Sequence, residues 1–255
     1  GFKSPVPMKL KFVHLDPVRF SESLPSKGIH SGEVHIWQHI PTAGDPFVAF
    51  APDLLSADEL DRSMKYHFER DRKIYLSGHV FIRKVLAHYT AVAPSEVQLT
   101  PVVNRKPVML NAPFPIQFNI AHCGERIIIA VGFKLDVGID VEEIADGFDT
   151  DGFAEANYHP EEIAAMRLLK DPRQTDYFYT IWTRKEAWLK LTGEGTNEKL
   201  RTMDFSGNNS DYQLEDFGFD YVSMISWKDS EGYIATLAVP NDYGSLHFFN
   251  SEDLN

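Results

Sequence analysis

Three acidic residues and one lysine carry the chemistry open to this chain. Gly138-Ile139-Asp140-Val141-Glu142 reads as a strand, and residues two apart on a strand point to the same side, so Asp140 and Glu142 present their carboxylates together. Two carboxylates among apolar neighbours repel each other and resist desolvation. A hard divalent cation relieves both effects, and Mg²⁺ favours one or two carboxylates together with phosphate oxygens and water. The competing reading is a solvated strand end, with Glu143 and its neighbours paired to surface lysines. In Trp182-Thr-Arg-Lys-Glu186-Ala-Trp-Leu-Lys190, steps of four place Trp182, Glu186 and Lys190 on one helix face. A glutamate four residues before a lysine is also the stabilising order of a plain surface ion pair. The aromatic Trp182 draws that face inward, where Glu186 would complete a metal shell and Lys190 would meet a phosphate.

Two further stretches are chemically suggestive. Phe118-Asn119-Ile120-Ala121-His122 precedes the apolar run Arg126–Gly132 and reads as a strand-edge turn. Arg105-Lys106-Pro107 holds two cations against a stiff turn. Each has an equally simple structural reading, as a satisfied turn histidine and a solvated loop.

The elements that must position these residues follow from pattern. Glu33–Ile40 alternates as a half-buried strand, Arg126–Gly132 reads as a strand buried on both faces, and Val137–Val141 as another. Ser56-Ala-Asp-Glu59 has the capping-box form and predicts a helix start. A second helix runs through about Tyr89, with Ile82, Val85, Leu86 and Tyr89 on one face. Residues 91–112 read as an extended connection. Pro160 opens a helix with Glu161 and Glu162 in its first turn, and a further helix spans about Gln174 to Leu191, stopped by Gly193 and Gly195. Three strand-like runs follow, at Asp220–Ser226, Gly232–Val239 and Ser245–Asn250. Each half thus has strands and a pair of helices, with a division near residue 133.

Composition limits the partners. The chain has 255 residues, 25 Lys and Arg against 37 Asp and Glu, and a formal net charge of −12. Proteins that grip nucleic acid through many phosphates show the opposite balance. A small cationic island, Arg70, Arg72, Lys73, Arg83 and Lys84, is of a size to meet a few phosphates. No apolar run approaches the roughly 20 residues needed to span a bilayer. The start lacks the apolar core of a signal peptide, and Gly1–Pro7 is expected to precede the first folded element. The single cysteine, Cys123, suits a reducing cytoplasm.

Taken together, and in this order, the Lys106-Pro107 turn, Phe118–His122, Gly138–Glu142 and Trp182–Lys190 resemble the Sfp-type 4′-phosphopantetheinyl transferases. The Lys-Glu-Ala form of the last motif resembles a subgroup common in bacteria. The stretches around Phe68–Lys73 and Gln174–Tyr179 are similar to the family as well, and the likeness covers roughly residues 56–195. The resemblance implies an α+β fold: a pseudo-twofold monomer of two α/β halves, 8–133 and 134–255, each with a small antiparallel sheet packed on helices. It implies transfer of the 4′-phosphopantetheine of coenzyme A to a serine of an apo acyl or peptidyl carrier protein, in fatty-acid, polyketide or nonribosomal-peptide synthesis, leaving 3′,5′-ADP. By the same resemblance Asp140, Glu142 and Glu186 hold Mg²⁺, Glu162 or Glu186 is the general base, and Lys190 lies at the transferred phosphate. Arg70, Lys106 and His122 would contact the adenosine 3′-phosphate end, and residues 153–169 would lie beside the carrier. Two departures stand out: Ala121 replaces the usual Ser, and Arg105 the usual Gly. The rival readings are a metal-dependent phosphodiesterase or nuclease and a non-catalytic coenzyme A or carrier-binding module.

Overall fold

The computed structural model describes residues 8–16, 18–21, 23–25, 28–100, 106–194, 198–207, 211–212, 221–240, 243–252 and 254. In chain order the elements are β1 (Met8–Leu15), β2 (Glu33–His39), α1 (Pro46–Leu54), α2 (Ala57–Ser63), α3 (Glu69–Thr90), β3 (Ile116–Cys123), β4 (Arg126–Phe133) and β5 (Gly138–Glu143). Then come α4 (Thr150–Asn157), α5 (Pro160–Arg167), α6 (Arg173–Thr192), β6 (Asp211–Tyr212), β7 (Tyr221–Lys228), β8 (Tyr233–Pro240) and β9 (Ser245–Asn250).

The strands form a four-stranded sheet, β3-β4-β2-β9, and a five-stranded one, β5-β8-β7-β1-β6. The α+β class is as expected, but the sheets are mixed rather than antiparallel, because β1 runs parallel to β7 and β2 parallel to β9. These parallel pairs also exchange the chain ends across the expected 133/134 division. β1 lies in the sheet otherwise built from the second half, and β9 in the sheet otherwise built from the first. Local alternation predicts that a segment is a strand but says nothing of a partner so far away in sequence.

Each half carries three described helices rather than two, since α1 and α4 add to the predicted ones. Ser56 and Glu59 form the predicted capping box at α2, with Glu59 Oε2 accepting the Ser56 N–H at 2.8 Å. The Ile82, Val85, Leu86 and Tyr89 face of α3 is buried against the four-stranded sheet, in a core with Trp37, Phe118 and Ile129. α6 buries Phe178, Ile181, Ala187 and Trp188 in a second core. A third cluster, with Val34, Ile36, Ile139, Val141, Leu237 and Trp227, fills the space between the sheets. α6 stops at Gly193, which adopts φ 71°, a left-handed conformation that glycine takes without strain. Gly195 and Arg105 lie outside the described residues. Among the described residues no helix is long and apolar enough to cross a membrane.

Candidate active site

The site lies at the seam where β3 and β5, each an edge strand of its own sheet, pack side by side. Phe118–His122 is therefore part of a strand, not the turn its sequence suggests. Phe118, Asn119 and Ala121 are buried, whereas His122 is exposed.

Gly138 brings the second motif over the first. A Cβ at that position would fall on the Ala187 carbonyl oxygen and the Leu191 nitrogen, so only glycine lets the α6 backbone rest directly on β5. That contact sets Glu186 and Lys190 above the carboxylates of β5. Trp182 anchors the same face, stacked on Phe153 with ring centroids 4.5 Å apart.

Asp140 is 5% exposed, and its Oδ1 accepts a hydrogen bond from Lys190 Nζ at 2.7 Å. Its Oδ2 is buried and has no hydrogen-bond partner. Burial pushes the Asp140 carboxyl up to about 7, against the pull of Lys190, and the charges of Glu142 and Glu186 add to the rise. Burial also raises Glu142, opposed by a hydrogen bond from Cys123 and by Lys190, with Glu186 adding to the rise. Cys123 donates to Glu142 Oε2 at 3.4 Å, and burial holds this thiol up at about 11, in its protonated donor form. His122 is lowered by the protein packed round it and then by the Lys190 charge. His122, Asp140, Glu142, Glu186 and Lys190 thus converge on one place. Arg70 approaches the adjoining β3–β4 turn, 3.6 Å from Glu125.

Glu162 and Lys106 lie apart from this cluster, as the expected nucleotide-end role of Lys106 allows. Glu162 is 0% exposed, and its Oε2 accepts the His159 N–H at 2.8 Å and pairs with Lys185 Nζ at 3.0 Å. Its Oε1 accepts the Phe205 N–H at 2.7 Å. Both of its oxygens are thus partnered within the fold. It caps α5 and ties the 198–205 segment to α6, where Lys185 also donates to Leu200 and Met203 carbonyls. Lys106 sits at the opposite end of β5, its Nζ 3.7 Å from Asp136 Oδ1. Ala121 is buried at 3% within the seam, so the hydroxyl it lacks would have faced β5 rather than open solvent.

Among the described residues no three His, Cys, Asp or Glu side chains are already gathered at metal-holding geometry; the cation on Asp140 is Lys190. A separate groove of about 740 Å³, lined by residues including His14, Arg19, Arg126, Trp227 and Lys228, contains none of the predicted site residues. Sequence reasoning missed Cys123 as a member of the centre and Lys185 as the buried partner of Glu162. Lys185 stands inside the Lys-Glu motif beside Glu186, and that adjacency was the available signal.

Comparison with known proteins matches the sequence of both halves to one family. A model described as the 4′-phosphopantetheinyl transferase superfamily matches residues 136–238, and one described as 4′-phosphopantetheinyl transferase, N-terminal, matches 40–134. The 4′-phosphopantetheinyl transferase HetI of Nostoc sp. is 30% identical over 173 residues, covering 67% of this chain and 73% of that protein. A 4′-phosphopantetheinyl transferase of Bacillus subtilis is 30% identical over 146 residues, 57% of this chain and 63% of its own. The human L-aminoadipate-semialdehyde dehydrogenase-phosphopantetheinyl transferase is 29% identical over 163 residues, 59% and 52% respectively. With its carboxylate strand and its Lys-Glu helix inside the 136–238 match, the chain belongs to the 4′-phosphopantetheinyl transferase superfamily.

Proposed function

We propose that the chain transfers the 4′-phosphopantetheine group of coenzyme A to a serine of an apo acyl or peptidyl carrier protein, releasing 3′,5′-ADP. The observation that carries this reading is the buried Asp140 carboxylate, half satisfied by Lys190 and within electrostatic range of Glu142 and Glu186. A centre with three carboxylates and one lysine retains negative charge that a diphosphate alone would worsen.

Magnesium fits this donor set. The unpartnered buried oxygen of Asp140 and an all-carboxylate trio are what a hard cation takes. Asp140, Glu142 and Glu186 would hold it, and when bound it supplies charge neutralisation at the diphosphate and polarisation of the phosphorus under attack.

The protein's own groups do the rest. Glu186 is half-buried and its carboxylate makes no hydrogen bond to another described residue, which leaves it free to take the proton of the carrier serine. The serine oxygen then bonds to the pantetheine phosphorus as the bond to 3′,5′-ADP breaks. Lys190, 30% exposed at its side chain, shifts from Asp140 to the transferred phosphate and steadies its charge. His122, Arg70 and, from the Asp136 end of β5, Lys106 would serve the nucleotide end. The carrier docks beside α4 and α5, where Leu168 is 86% exposed and Phe148 40%. Two halves in one chain suit action as a monomer, and a single cysteine suits a reducing cytoplasm.

Incubation with Mg²⁺, coenzyme A and a panel of apo carriers, read by carrier mass, tests the reading. Loading of at least one carrier is expected. Cleavage of the diphosphate without loading, or binding without turnover, would overturn it.

A further inference from the structure

The outer edge of β5 is answered by side chains. Paired antiparallel with β8, β5 turns the N–H groups of alternate residues away from its own sheet. Two of these, Ile139 and Glu143, donate across the seam to Asn119 Oδ1 at 2.8 Å and to Cys123 Sγ at 3.4 Å. The two donors are four residues apart on β5 and the two acceptors four apart on β3, so both rungs hold a single register. They bracket Asp140 and Glu142. The Cys123 thiol also donates to Glu142 Oε2 at 3.4 Å. Asn119 is buried at 4% exposure, where an amide without a partner would be unfavourable.

We propose that Asn119 and Cys123 are positioning residues, a two-rung side-chain ladder that fixes the register of the carboxylate strand against the strand bearing His122. β3 and β5 share no backbone ladder. The β8 ladder fixes the face of Asp140 and Glu142, but a slip of one residue along the seam would carry them about 3.3 Å past His122. A displacement of about 1 Å at such a centre lowers turnover by about a hundredfold. Asn119 is the stronger rung, because an amide oxygen is a better acceptor than sulfur. Between the rungs, the two-residue period of a strand brings Val141 opposite Ala121, a side chain with no acceptor.

This inference rests on the transferase reading for its kinetic arm alone. Asn119→Leu removes the acceptor at similar volume, and Asn119→Asp keeps an oxygen in place. Amide hydrogen exchange, kcat and KM are measured on both variants. Expected for Asn119→Leu are faster exchange at Ile139 by about tenfold or more, unchanged exchange in β7, and kcat lowered about tenfold or more with KM for the carrier within about twofold. Asn119→Asp should recover most of kcat. Wild-type exchange at Ile139 in Asn119→Leu, or a loss that Asn119→Asp shares in full, would overturn the ladder. Should Asn119→Leu not fold, Cys123→Ala carries the test: faster exchange at Glu143 with lowered kcat supports the ladder, and wild-type behaviour in both refutes it. A wild-type protein that loads no carrier refutes the transferase reading and leaves the exchange arm intact.

Discussion

Glu162 and Asp140 are both sealed carboxylates, 0% and 5% exposed, and each pairs with a lysine of α6, at 3.0 and 2.7 Å. Burial raises both above the ordinary carboxylate range. Their surroundings part company after that. Glu162 also receives the N–H groups of His159 and Phe205, so each oxygen has a partner. Asp140 leaves Oδ2 with none and shares its pocket with two further acids. The first arrangement spends its charge on holding α5, α6 and the 198–205 segment together. The second keeps capacity in reserve for something the folded chain does not itself contain.

Substitution can break or sharpen that contrast. Asp140→Asn should lower carrier loading by at least about 10⁴-fold, about 5 kcal/mol of barrier. Its melting temperature should stay level or rise, since a poorly solvated charge is removed. Loading near the wild-type rate would erase the distinction. Glu162→Gln should do the reverse: it strands Lys185 in the core and destabilises the fold by about 3–5 kcal/mol. Denaturant unfolding measures this, and the folded fraction should turn over within about threefold of wild type; a lost kcat on an unshaken fold would restore Glu162 as the base.

A third buried titratable group extends the comparison to pH. His35, 4% exposed, is lowered to about 4 by burial and then by His247, against the opposing pull of Glu33. Its folded value lies below the unfolded one, near 6.5, so between those values the unfolded chain binds more protons. Stability should therefore be lost as pH falls from about 6.5 to about 4, by about 3 kcal/mol if this group acts alone. His35→Gln should flatten that slope in urea titrations at stepped pH; an unchanged slope places the loss elsewhere. The smallest expected effect is that of Lys190→Met, about thirtyfold in kcat or about 2 kcal/mol, with little change in carrier KM. A purely structural Lys190 would instead shift stability and leave kcat alone.

Much of this centre was legible in the chain. Alternation put Asp140 and Glu142 on one side of a strand, and four-residue steps put Glu186 and Lys190 on one side of a helix. Gly138 is the hinge between those two readings, because it is the contact that lays the helix on the strand. What could not be read was which carboxylate is already satisfied. The partners of Glu162 at Lys185 and Phe205 come from α6 and from the segment beyond it, and nothing local in Pro160-Glu-Glu foretells them. Asn119 and His122 looked like turn residues because Asn favours turns, and tertiary packing along β3 overrode that tendency. The antiparallel sheets expected for each half failed for a related reason, since β1 and β9 find their parallel neighbours at the far end of the chain.

Those two end strands interlock the molecule like a clasp. The ranges matched to the family, 40–134 and 136–238, include neither β1 nor β9, nor β2, the strand on which β9 lies. A protein trimmed to those ranges would keep every acid of the centre while releasing the fastening on both sheets. Conversely, a single cut in the connection between β4 and β5 would leave two pieces still threaded through one another.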